Sequence, residues 1–265
     1  MLRGASADAS AALGDALRAM GVDDAGAVGN DLFAVADLLR QEPALRRVAT
    51  DASVEGPAKS ALVRGLLEGK VGAKALDLVS DAVSRRWTAT RDLADVLEHL
   101  GVVAVVRSAG EPKQLSDELF SVNTLIANNG DLRNALADPA RSTAEKRGLL
   151  ADLFKGSVLP ATLRLVEQAV AGSHRTVSAA IESYEKTAAD VYGESVATVR
   201  TALPLTETDL SRLAAALSDQ YGRPVHLNVI IDPTLVGGLR VEIGDDVIDG
   251  SVSARLDDAR RRLAG

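Results

Sequence analysis

Two stretches decide how this chain folds: EPALRRVATDASVEGPAKSALVRGLLEGKV at residues 42–71 and NGDLRNALADPARSTAEKRGLLADLFKGSV at residues 129–158. Shifted by 87 residues, they match without a gap. Leu45 and Arg46 fall on Leu132 and Arg133, Asp51 on Asp138, Lys59 on Lys146, Leu62 on Leu149, Leu66 on Leu153 and Gly69 on Gly156. The register extends outward, with Leu32 and Phe33 on Leu119 and Phe120, and Val71, Leu76 and Val79 on Val158, Leu163 and Val166. Unrelated helices share apolar spacing, but Asp, Lys and Gly in register as well mark an internal repeat. Each copy reads as a helix, a short helix, a polar break and two further helices. The chain therefore holds two similar helical layers, either packed together or set end to end.

The rest of the first two thirds agrees. Leu13, Leu17 and Met20 share one helical face, and Leu32, Val35, Leu38 and Leu39 keep the 3.6-residue rhythm. Leu62, Val63, Leu66 and Leu67 form a second apolar pattern, and Leu76, Val79 and Val83 a third, after a break at residues 68–70. Residues 92–106 are apolar on most of their surface and are expected as a buried helix. Thr143 suits a helix start, but Lys146 is not a capping-box partner, so a simple cap is expected there. A long helix is expected over residues 173–192, with Tyr184 and Tyr192 on it.

Composition bounds the function. Hydrophobic residues make up 46% of the 265, charged residues 25% and aromatics only 3%, so Ala, Leu and Val must fill a helical core. A net charge of -7 gives no positive field for nonspecific nucleic-acid binding. The terminal arginines 255, 260, 261 and 262 enclose Asp257 and Asp258 and read as a solvated helix face. Absence of cysteine removes disulfides, thiol catalysis and thiolate metal sites. No apolar run is long enough to span a membrane, and the opening segment has no apolar core of a signal peptide.

Residues 193–264 have another texture. Residues 194–201 alternate, placing Val196, Thr198 and Arg200 on one side. Thr206 and Asp209 resemble the ends of a capping box opening a helix with Leu210, Leu213, Leu217 and Tyr221, stopped by Gly222. Residues 225–231 and 239–243 read as strands, Gly244, Asp245 and Asp246 as a turn, and Val247 and Ile248 as a short strand. Ser251 then caps a last helix with Val252, Leu256 and Leu263. The expected fold is mainly α: a duplicated helical bundle followed by a small mixed α/β domain. The expected domains are residues 1–110, a second helical module at 111–192, and 193–265.

No constellation carries chemistry. His99, His174 and His226 share no ligand spacing, so no metal site is expected. The glycines after Asp232 lack the phosphate-loop pattern and precede a strand; Gly237 and Gly238 fit a tight entry into it. Asp249 can serve a helix terminus or Arg240, and has no substrate cleft to share with Asp232. Trp87, between arginines and Thr88, is either a core or rim aromatic or an interface anchor. Tyr184 is a second candidate for a docking face.

Asp232-Pro233-Thr234-Leu235-Val236-Gly237-Gly238-Leu239-Arg240-Val241-Glu242-Ile243-Gly244, then Val247-Ile248-Asp249-Gly250-Ser251, resembles the signature of the F-type ATP synthase delta subunit. The mitochondrial relative of that family is the oligomycin-sensitivity-conferring protein. The resemblance covers residues 118–264, and the extra helical copy resembles the long form in high-GC Gram-positive bacteria. It implies a non-catalytic stator connector without cofactor, peripheral on the cytoplasmic face of the cell membrane as part of F1Fo. The N-terminal bundle would bind alpha subunits of the α3β3 head and the C-terminal domain the b subunit, so that proton-driven rotation is coupled to ATP synthesis. Asp232, Pro233, Gly237, Gly238, Gly244, Asp249 and Gly250 would then build the C-terminal fold. A helical protein-binding adaptor outside the synthase is the other reading the residues leave open.

Overall fold

In the computed structural model, which describes residues 2–254, 256, 260 and 261, the two copies of the repeat form the same four helices. Helix α1 (Ala5–Ala19) comes first, followed by α2 (Ala25–Gln41), α3 (Pro43–Thr50), α4 (Gly56–Leu67) and α5 (Ala73–Ser84). Helix α6 (Asp92–Ser108) leads into α7 (Pro112–Asn128), α8 (Gly130–Ala137), α9 (Thr143–Phe154) and α10 (Pro160–Ala171). Every boundary from α2 to α5 recurs 87 residues later in α7 to α10, and α1 maps onto α6 up to two residues from its end. Helix α6 thus closes the first copy and opens the second.

The agreement has local causes. Gly69 and Gly156, at φ 73° and 82°, take the left-handed turn just past α4 and α9. Asp51 accepts from the Ser53 N–H at 2.8 Å, and Asp138 from the Ala140 N–H at 2.9 Å, closing the same turn twice. A carboxylate from the first long helix of each copy caps the last. Asp31 accepts from the N–H of Gly72 at 2.8 Å, and Glu118 from that of Leu159 at 2.8 Å. Both satisfy an N-terminal donor that the helix leaves unpaired. Thr162 adds its hydroxyl to Glu118 at 2.5 Å.

The start of α9 differs from the sequence expectation. The cap is Ser142, one residue earlier than Thr143, and with Glu145 it forms a complete capping box. The three-residue spacing begins at Ser142, so Lys146 never had to answer. Leu62 and Leu66 also depart from expectation: Val63 and Leu67 face inward, while Leu62 and Leu66 are exposed.

The copies are packed together. Helix α6, buried nearly all round, packs against α1, α2, α5 and α10. It crosses α2 at Gly29 and Gly101. A Cβ on Gly101 would lie 2.6 Å from Phe33, and one on Gly29 would lie 2.9 Å from the Gly101 carbonyl. Only glycine lets the two backbones approach so closely. Leu13, Leu17, Leu32, Leu78, Leu93, Leu97 and Leu100 complete the core around this crossing.

Helix α11 (Val177–Tyr192) starts four residues later than its apolar pattern suggested. Thr176 accepts from the Ala179 N–H at 3.1 Å and caps it, while Ser173 turns its N–H toward Glu98. Residues Met1–Tyr184 form one compact unit and Glu185–Gly265 another.

In the second unit, strand β1 (Ser195–Thr201) precedes α12 (Glu207–Tyr221), β2 (Val225–Ile231), β3 (Leu239–Ile243) and β4 (Asp246–Asp249). The sheet order is β2-β1-β3-β4, with β1 parallel to β2 and the other pairs antiparallel. Ala197 and Val199 of β1 face the core with Leu217, Val225, Val241 and Ile243; Val196, Thr198 and Arg200 take the other face. Thr206 accepts from the Asp209 N–H at 3.2 Å, and Gly222, at φ 69°, stops the helix. Ser251 accepts from the Ala254 N–H at 3.2 Å, as expected of a cap. Arg255, Asp257, Asp258, Arg262 and Leu263 lie outside the described residues.

Candidate functional site

Most residues of the 232–250 signature meet at one end of the sheet, while Gly244 turns the chain at the other. Thr201 ends β1 and accepts the Asp232 N–H at 2.8 Å. The Asp232 carboxylate then accepts from the N–H of Thr234 at 3.0 Å and its hydroxyl at 2.6 Å. Pro233 sits inside this turn. Asp249, at the end of β4, accepts from the Ser251 N–H at 2.9 Å. The Gly250 N–H reaches Leu239 at 2.9 Å and the Val252 N–H reaches Gly237 at 3.0 Å, closing the two loops on each other.

Gly238 is required twice over. Its φ is 81°, and a Cβ there would strike the Gly250 carbonyl and come 2.9 Å from the Ser251 Cα. Gly244, at φ 58°, makes the β3–β4 turn.

Both aspartates serve as acceptors in turns. Hydrogen bonds from Thr234 hold the Asp232 carboxyl below its ordinary range, and bonds from Ser251 do the same for Asp249. The loops and the end of β2 present apolar side chains: Leu203, Ile231 and Val236 are 72%, 52% and 78% exposed. Burying such a cluster against another protein is favourable.

In the helical unit, the structure assembles a buried polar joint that the sequence did not announce. Glu98, 3% exposed, accepts from Arg40, from the Ser173 N–H at 3.1 Å and from the Tyr184 hydroxyl at 3.0 Å. Arg40 also reaches Asp95 at 3.2 Å, while Asp37 accepts from Arg147 of α9 at 2.9 Å. The joint therefore ties the first copy to the second. Its Asp37 and Arg40 stand at helical spacing, but nothing local points to partners as remote as Arg147.

Tyr184, expected as a docking residue, is 2% exposed and belongs to this joint. Burial, with the Glu98 charge beside it, pushes its hydroxyl well above the tyrosine range. Its ring also meets His174 edge-on, with centroids 6.0 Å apart. Trp87 is half-buried at the rim of the core, and its indole N–H donates to the Ala82 carbonyl at 2.9 Å. That is the rim placement, with Arg85 held by Asp81 at 2.9 Å.

A hollow of about 690 Å³ opens beside Arg46, Arg91, Asp92, Asp95 and His99. Its carboxylates are engaged, Asp95 by Arg40 and Asp92 by the Ser6 hydroxyl at 2.6 Å. Among the described residues no group of His, Asp and Glu is placed to hold a metal ion, and no helix is long and apolar enough to cross a membrane.

Residues 101–263 match a family model described as ATP synthase delta (OSCP) subunit. The chain is similar to the ATP synthase subunit delta of a Nocardioides species, 58% identical over 268 residues, covering 100% of this chain and 98% of that one. The subunit delta of Kineococcus radiotolerans is 46% identical, covering 91% of this chain and 89% of its own. That of Streptomyces coelicolor is 43% identical, covering 99% and 98%.

Proposed function

Because the chain belongs to the ATP synthase delta (OSCP) subunit family, we infer that its two units are the two ends of a connector. The subunit is non-catalytic. It is part of the stator and links the α3β3 head, through alpha subunits, to the b subunit of the peripheral stalk. The observation that carries this reading is identity of 58% along the whole chain, the added helical copy included, to a subunit delta.

The geometry suits the task. A stator part must transmit torque without yielding, and the helical unit is braced by a glycine crossing and a buried ion network. Packed interiors of that kind transmit strain because they deform little. The helical unit is assigned to the head. The sheet unit is assigned to the stalk, its signature loops supporting the exposed Leu203, Ile231 and Val236 as a bed for an apolar helix face. The signature glycines and aspartates act by shaping that bed.

Reconstitution tests the reading. Membranes carrying the synthase without its delta subunit should regain ATP-driven proton pumping when the chain is added back. Restoration of hydrolysis without pumping, or no effect on either, would count against a coupling role.

A further inference from the structure

Helix α11 leaves the second copy as α6 leaves the first, yet the two are held by different means. Shifted by 87 residues, α6 falls on α11, so Leu97 falls on Tyr184. Leu97 is fully buried in the apolar core, on a helix buried nearly all round. Such contact holds a helix in place without fixing its direction. Helix α11 turns only part of its surface inward within the helical unit: Ala180, Ile181 and Tyr184 are buried, and Glu182 is exposed.

A single carboxylate compensates. One oxygen of Glu98 accepts from the Tyr184 hydroxyl at 3.0 Å, and the other accepts from Arg40 and from the Ser173 N–H at 3.1 Å. Glu98 thus grips the chain just before α11 and again about two turns into it. Gly172 makes room for the grip. Its φ of -69° suits any residue, but a Cβ there would strike a Glu98 oxygen and come 3.2 Å from the Tyr184 hydroxyl. Hydrogen bonds have preferred distances and angles, so this contact fixes direction where apolar packing does not. In the first copy the same positions carry Ala11, Arg85 and Leu97, and none of them can form such a grip.

We propose that Glu98, Gly172 and Tyr184 form a clamp that fixes α11 against α6, and that they act as positioning residues for coupling. This role rests on the connector reading. Tyr184 is the last residue of the first unit, and α11 runs on to Tyr192 in the second. Any load carried along the chain between the units passes through this helix. Through Arg40 the clamp is tied to Asp95, and through Asp37 to Arg147 of the second copy. A force on α11 is therefore shared by both copies, whose packed interior deforms little.

The test uses the full chain with Tyr184→Phe, which keeps the ring and removes only the hydroxyl. Amide exchange should rise about tenfold over residues 177–184 and stay unchanged in α1 to α5. In a Glu98→Ala background, Tyr184→Phe should add nothing to exchange in α11, because its partner is already gone. Affinity for α3β3 and for the soluble part of the b subunit should be that of wild type. Added to membranes that lack the delta subunit, Tyr184→Phe should restore hydrolysis fully but lose part of the proton pumping per ATP hydrolysed. Wild-type exchange in α11 of the variant would overturn the clamp. Raised exchange with wild-type pumping per ATP would overturn its role in coupling. Failure of the wild-type chain itself to restore pumping would overturn the connector reading, with the exchange result still judging the clamp.

Discussion

The two helical copies share their helix boundaries and differ in what lies against them. In the first, Gly29 meets Gly101 and the helices nearly touch; the position matching Gly29 in the second copy carries Ser116. Lys59 is buried and donates to the Arg85 carbonyl at 3.3 Å, whereas Lys146, in the same register, is only half-buried. The turn devices recur unchanged: left-handed Gly69 and Gly156, the Asp51 and Asp138 turns, the Asp31 and Glu118 caps. Duplication has kept what sets the path of the backbone and released the faces. One released face of the first copy became the seat of α6, which belongs to both.

The sharpest way to break this comparison is to treat α6 and α1 alike. Gly101→Leu should destabilise the helical unit by about 3 kcal/mol in urea denaturation, because the crossing has no room. Gly14→Leu, at the matching site, should be neutral or stabilise by up to ~1 kcal/mol. Equal effects would mean that the two helices are not counterparts. Next in size, Glu98→Ala should cost about 3 kcal/mol by taking the acceptor from the buried Tyr184 hydroxyl and the Ser173 N–H and one of the carboxylates from Arg40. Hydrogen exchange should then rise in α10 and α11 as well as α2, since the joint spans both copies.

The paired caps give a smaller and more discriminating contrast. Asp31→Ala should cost about 1 kcal/mol, and Glu118→Ala roughly twice that, because Thr162 loses its acceptor too. Melting curves of the two variants check the ratio. The smallest effect separates the starts of α9 and α4. Ser142 lowers the Glu145 carboxyl by hydrogen bonding, so its folded pKa lies below its unfolded one. That contribution is present above an unfolded pKa of about 4.3 and is lost as pH falls through the lower folded value. Glu145→Gln should flatten the acid limb of the melting temperature, and a variant at Ala58, its counterpart in α4, should leave that limb unchanged.

Much of this was legible in the sequence because it is local. Apolar rhythm, glycine stops and Asx turns act over a few residues, so most helices and strands fell within a residue or two of their reading, the start of α11 excepted. Ser142 and Thr143 both suit a cap by type, and the three-residue spacing to Glu145 selects Ser142. Thr176 outcompeted the apolar pattern that would have begun α11 at Ser173. Burial was harder: Leu62 and Leu66 are as apolar as Val63 and Leu67, and only packing decides which pair turns inward. The joint was illegible altogether, since Arg147 finds Asp37 only after two copies have packed. In the signature, the turn role of Gly237 and Gly238 could be read, but not the Gly250 carbonyl that forbids a side chain at Gly238.

The central claim is that one chain joins two partners at once. Mass photometry of the full chain with α3β3 and the soluble part of the b subunit tests it directly. The account predicts a single ternary species whose mass equals the sum of all three, absent when the chain is left out. Two separate binary complexes that never combine, or no complex with either partner, would contradict it.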